Sequence, residues 1–158
     1  MLNIIKQHLD TVLFLIGPIN SKWYFDEIID EANKLGVLER LVIIPGLPPN
    51  SVELLEALKI SNCFVLPSRH EPFGIAALEA LDAKVPLIAS NVGGLKDFLI
   101  NEQNALIFSD NDEKSLLDAY NKLDTFRSQI IEGGIKTANE YNWKTIASKL
   151  KDIYTKLL

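Results

Sequence analysis

Five short apolar runs are spaced along the chain with room for a helix between successive runs, and this alternation constrains the fold more than any other feature. The runs are Thr11–Ile16 (TVLFLI), Leu41–Ile44 (LVII), Cys63–Leu66 (CFVL), Pro86–Ala89 (PLIA) and Leu106–Phe108 (LIF). They are apolar almost throughout rather than alternating, as strands covered on both faces should be. Helical patterns lie between and after them. Trp23–Leu35 follows the loop GPINSK and stops at Gly36; Ser51–Leu58 is capped by Ser51 after a Pro48-Pro49-Asn50 turn; Gly74–Ala83 follows SRHEPF. Further helices are expected from near Gly94–Leu95 and over Glu113–Leu123, Arg127–Tyr141 and Trp143–Leu157, with another over Leu2–Leu9. Strands alternating with helices predict an α/β fold: a parallel sheet flanked by helices, with ligands at the carboxyl ends of the strands.

At 158 residues, with no repeat or linker composition, the expectation is a single domain over 1–158. The helical segments from about 127 to 158 have no strand between them, and are expected to pack on the domain or to reach a neighbouring one. Hydrophobic residues make up 47% and charged residues 23%, which argues against disorder. A net charge of −5 with scattered Lys and Arg supplies no basic stripe, so nucleic acid is not an expected partner. The single cysteine, Cys63, cannot form an internal disulfide and reads as a small buried hydrophobe. The N-terminus has no signal-peptide pattern, and no run approaches the ~18 apolar residues of a membrane span. A cytoplasmic location is expected.

The stretch Pro67-Ser68-Arg69-His70-Glu71-Pro72-Phe73-Gly74-Ile75-Ala76-Ala77-Leu78-Glu79-Ala80 carries the most chemistry. It directly follows the CFVL run, so it lies at the carboxyl edge of the sheet. Pro72 restricts Glu71 to extended backbone, so the helix can begin only at about Phe73 or Gly74. The first N–H groups of that helix, those of Gly74, Ile75 and Ala76, lack intrahelical partners and sit at its positive pole. Gly74 would leave a ligand room to approach, and a diphosphate suits such a place. Glu71 and Glu79 lie about two turns apart and, as acceptor-only carboxylates, suit neighbouring hydroxyls of a sugar or ribose. The combination describes a nucleotide sugar. Glutamates at this spacing also occur on solvated helix faces, and Pro-Phe-Gly is an ordinary turn, so spacing alone leaves both readings open. Val92-Gly93-Gly94-Leu95-Lys96 is a second glycine-rich turn, for which a tight bend is sufficient reason.

The stretch from Pro67 to Ala80 resembles the signature P-S-x-x-E-P-F-G-x-x-x-x-E-A of retaining group 1 glycosyltransferases (family 4 and the glycogen and starch synthases), matching every fixed position. Ser61–Leu66, Val85–Ser90, Val92–Leu95 and the segment from Tyr141-Asn142-Trp143 to Tyr154 are similar to further stretches of that family, so the likeness covers nearly the whole chain. It implies a Rossmann-like domain, the C-terminal half of a GT-B glycosyltransferase. The function it implies is binding of a nucleotide-diphosphate sugar, such as UDP- or ADP-glucose, for retaining transfer of a hexosyl group without a required metal or other cofactor. By the same resemblance, Glu71 is the catalytic position and contacts the donor sugar, and Glu79 contacts the ribose. The backbone at Phe73, Gly74, Ile75 and Ala76 approaches sugar and diphosphate, with Ser68 in the same loop, and the loops at Gly17 and Gly46 flank the nucleotide.

The chain departs from the family at Lys84, where a helix-ending glycine is usual, and at Asn104-Ala105, where Asn-Gly or Thr-Gly is usual. The family's opening strand with its Gly-Arg pair, the following Lys-Gly and the N-terminal acceptor-binding half have no counterpart here. The expectation is therefore a piece of a longer enzyme, inactive alone. The alternative is a non-catalytic nucleotide-sugar-binding or partner-docking remnant of the fold. A dinucleotide-binding domain would need G-x-G-x-x-G after its first strand, and a P-loop would need G-x-x-x-x-G-K-[ST]. Both are missing.

Overall fold

The structure, a computed structural model, describes residues 1–48 and 51–157. Pro49 and Asn50 of the expected turn lie outside the described residues. The chain forms two compact units, Met1–Glu56 and Ala57–Leu158.

In the first unit, helix α1 (Leu2–Gln7), strand β1 (Leu13–Ile16), helix α2 (Lys22–Leu35) and strand β2 (Leu41–Ile44) follow in order. β1 and β2 pair in parallel, Leu13 beside Leu41 and Ile16 beside Ile44. Ile5, Ala32 and Val37 are buried with Leu13 and Leu41 packed on them, so the two helices cover one face of this sheet. On the other face Phe14 and Val42 stay 43% and 37% exposed. Ser21 caps α2 by accepting from Tyr24 N–H, and Gly36 ends it in the left-handed conformation. The Arg40 guanidinium donates to the carbonyls of Ile5 and His8, at the end of α1, and to that of Thr11. A cation there also opposes the negative end of the helix.

Helix α3 (Val52–Ile60) carries the chain into the second unit, its first turn capped by the Ser51 hydroxyl accepting from Leu54 N–H at 3.2 Å. Strands β3 (Phe64–Leu66), β4 (Leu87–Ser90) and β5 (Leu106–Phe108) form a parallel sheet in that order. β4 is the middle strand, and all four of its residues are buried. Helix α4 (Ile75–Asp82) follows β3; α5 (Glu113–Asn121), α6 (Leu123–Glu140) and α7 (Trp143–Leu157) close the chain. Ala77 and Leu81 of α4 share a core with Leu87, Ala89, Leu95 and Phe98. Helix α6 packs against α4, which accounts for one part of the C-terminal helical region. α7 has no buried residue. The helix expected from Gly94–Leu95 is instead one 3-10 turn, Gly93–Asp97. Among the described residues, no helix is long and apolar enough to cross a membrane. Cys63 is half-buried, and desolvation pushes its thiol up to about 11 against the opposing pull of Arg127. It stays protonated at neutral pH, as an inert core thiol does.

Lys84, where the resemblance implies a glycine, takes up a left-handed helix-ending turn. It takes φ 62°, its N–H bonds Leu81 O at 3.1 Å, and Val85 N–H bonds Ala80 O at 3.0 Å. These are the paired bonds of a Schellman cap, in which a side chain at the left-handed position costs about 1 kcal/mol relative to glycine. Lys84→Gly is expected to raise stability by about 1 kcal/mol, read as a higher urea midpoint at unchanged slope. A lower midpoint would mean that the lysine side chain contributes more than its backbone strain removes.

Candidate functional site

The loop between β3 and α4 is held from below by β4 and by the turn after it. Ser90, at the end of β4 and 1% exposed, donates its hydroxyl to Ser68 O at 2.5 Å. Gly94 N–H donates to Glu71 O at 2.8 Å. The Ser68 hydroxyl lies 3.4 Å from Glu71 Oε2, a long contact that leaves the carboxylate most of its acceptor capacity. Glu71 is half-buried, whereas Arg69 and His70 are exposed.

Three glycines make this arrangement possible. A Cβ on Gly93 would lie 2.0 Å from Glu71 O, and one on Gly94 would lie 2.4 Å from Pro72 O and 2.8 Å from Phe73 Cα. The Gly-Gly turn is therefore more than a bend: it lies flush against the Glu71–Phe73 backbone. Gly74 is buried at φ 103°, and a Cβ there would meet Leu95 Cδ2 at 2.4 Å. Its lack of a side chain makes room for Leu95 and Phe98 of the protein.

The helix begins at Ile75, one residue after the later of the two expected starts. Gly74 is the N-cap of α4, its carbonyl accepting from Leu78 N–H at 3.2 Å, so the first helical N–H groups are those of Ile75 and Ala76. Phe73 turns its ring into an aromatic trio, with centroids 6.0 Å from Phe98 and 6.1 Å from Tyr141, which are themselves 5.3 Å apart. Phe73 thereby anchors the loop to the end of α6, a role for the side chain that the sequence did not reveal. Glu79 is half-buried on α4, one turn beyond Ile75, roughly 6 Å along the axis.

The loop and helix thus present a positive helix end between two glutamates. An anion fits the N–H groups of Ile75 and Ala76, and hydroxyls fit the carboxylates. Ser68, Glu71, Phe73, Gly74, Ile75, Ala76 and Glu79 are all on this one loop and helix. Gly17 and Gly46 come together at the carboxyl ends of β1 and β2 in the first unit. Gly17 N–H and Gly46 N–H both donate to Ile44 O, at 3.1 and 2.7 Å, and a Cβ on Gly46 would stand 3.9 Å from Pro18 N. Ser90, Phe98 and Tyr141 were missed as supports of the site. The one available signal was a small polar residue, Ser90, ending an otherwise apolar strand next to the glutamate-bearing loop.

The sequence profile described as "Glycosyl transferases group 1" matches residues 2–137. Glycogen synthase of Mycobacterium tuberculosis is 31% identical over 153 residues, covering 94% of this chain and 36% of that protein. D-inositol 3-phosphate glycosyltransferase of Corynebacterium diphtheriae is 26% identical over 146 residues, covering 90% and 34%. The chain spans about a third of the length of the curated relatives it matches. Among solved structures, Anabaena Alr3699/HepE in complex with UDP-glucose superposes with a TM-score of 0.85 at 16% identity, over 98% of this chain and 44% of that one. The C-terminal domain of the group 1 family protein LpcC from Francisella tularensis superposes with a TM-score of 0.78 at 20% identity, over 89% and 74%. These likenesses show the fold: α/β, parallel sheets flanked by helices, as in the C-terminal domain of GT-B enzymes.

Proposed function

Because the chain belongs to the group 1 glycosyl transferases, we propose that it is the donor side of a retaining hexosyl transfer, binding a nucleotide-diphosphate sugar such as UDP- or ADP-glucose. The observation that carries this reading is the pinned Glu71–Gly74 loop opening onto α4, with Glu79 one turn inside the helix. The N–H groups of Ile75 and Ala76 hold the diphosphate at the positive end of α4. Glu71, with Ser68 and the backbone of Phe73 and Gly74 beside it, accepts hydrogen bonds from the hydroxyls of the sugar. Glu79 accepts from the ribose. As the sugar–phosphate bond breaks, negative charge grows on the diphosphate, and a helix end already aimed at it stabilises that charge without reorganising. Gly17 and Gly46 offer a further close approach to backbone at the carboxyl ends of β1 and β2, where ligands bind in this fold class. The complex of the similarly folded Alr3699/HepE with UDP-glucose supports a nucleotide sugar as ligand. Transfer itself calls for an acceptor-binding partner domain.

Ligand-observed NMR of this chain with UDP, ADP, GDP and their glucose conjugates tests the reading. One nucleotide and its conjugate are expected to show saturation transfer, and the other bases to show little. Silence across the whole panel at millimolar concentration would count against a donor site.

A further inference from the structure

We infer that Gly93 and Gly94 are positioning residues for Glu71. The inference rests on the proposed donor site, in which Glu71 meets the sugar. Glu71 precedes a proline, and its neighbours Arg69 and His70 are exposed. The direction of its side chain therefore depends on what holds its main chain. Two of the holds come from this turn: the 2.8 Å bond from Gly94 N–H to Glu71 O, and the flush packing of Gly93, whose Cβ position lies 2.0 Å from Glu71 O, 3.0 Å from its C and 3.3 Å from its N. Every atom in that last group is backbone, so a side chain at Gly93 cannot be accommodated by a rotamer change. The loop must move, and the carboxylate moves with it. The contacts of Gly94 fall one residue further on, at Pro72 and Phe73. The turn thus clamps the three residues that lead from the carboxylate to the N-cap of α4. The effect of the turn on ligand binding is transmitted through Glu71.

Gly36 supplies the control. It shares the left-handed backbone, φ 69° against 48° at Gly93, but a Cβ there would meet nothing within 4 Å. Gly36→Ala therefore carries the conformational strain without the collision. The experiment compares wild type, Gly93→Ala and Gly36→Ala by titration with whichever nucleotide diphosphate and glucose conjugate the chain selects from UDP, ADP and GDP, and by amide hydrogen exchange at Gly94 without ligand. In Gly93→Ala the conjugate is expected to bind at least ~10-fold more weakly, the bare nucleotide to change by less than ~3-fold, and Gly94 N–H to lose its protection. Gly36→Ala is expected to leave both affinities and the Gly94 protection unchanged. Should Gly93→Ala not fold, Gly94→Ala, which has no left-handed strain to add, serves with the same expected split between conjugate and nucleotide. Equal weakening of both ligands, no weakening, or unchanged Gly94 protection would overturn the inference. A wild-type chain that binds no nucleotide while Gly94 loses protection only in Gly93→Ala would instead uphold the clamp and count against the proposed donor site.

Discussion

Asn104→Leu is expected to destabilise the protein by about 3 kcal/mol. Asn104 is 4% exposed and serves three partners at once. Its Oδ1 accepts from Ile100 N–H at 2.7 Å, and its Nδ2 donates to Phe98 O at 2.7 Å and to Thr137 Oγ1 at 2.8 Å. Leucine has the same branched outline but is larger and satisfies none of them, leaving the part-buried N–H of Ile100 and the buried carbonyl of Phe98 without these partners, at about 1–3 kcal/mol for a buried group. The consequence extends to the site. Asn104 ties the segment after the 3-10 turn to Thr137 of α6 and fixes the carbonyl of Phe98, whose ring supports Phe73. Urea unfolding followed by far-ultraviolet circular dichroism measures the effect as a lower midpoint at unchanged slope. A loss below ~1 kcal/mol would mean that the hydrogen-bond network is replaced at little cost, and that the hub is incidental.

Asn104 also marks where reading the sequence stops. At that stage it counted as one half of a turn departing from the family pattern, because nothing local says that its amide reaches a threonine 33 residues away. Strands β2 and β5 were readable to the residue, since short apolar runs bounded by turn residues leave few alternatives. Gly36 and Ser51 were readable because capping is a local property. The helix expected after Gly94 was not, because its interruption has distant causes: the turn must lie flat on Glu71–Phe73, and Asn104 takes the N–H of Ile100. The same holds within the site. The glutamate spacing was visible along the chain, and the helix start to within a residue. The reason for Gly74 was not, since the atoms that exclude a side chain there belong to Leu95 and Phe98. Local patterns announce which groups a loop carries, and packing decides what holds them.

The second large effect concerns the two carboxylates, and it separates their roles. Removing an ionised acceptor from a bound hydroxyl costs about 1.5–3 kcal/mol, or roughly 10- to 100-fold in affinity. In the proposed donor site, Glu79 faces the part of the ligand that every nucleotide has, and Glu71 the part that only the sugar conjugate adds. Both residues are half-buried rather than buried, so alanine at either place should leave the fold intact. The decisive measurement is a titration of wild type, Glu71→Ala and Glu79→Ala with the selected nucleotide diphosphate and with its glucose conjugate. A donor site of the proposed kind predicts that Glu79→Ala weakens both ligands about 10-fold or more, and that Glu71→Ala weakens only the conjugate. Equal effects of Glu71→Ala on both ligands, or no effect of either substitution, would contradict it.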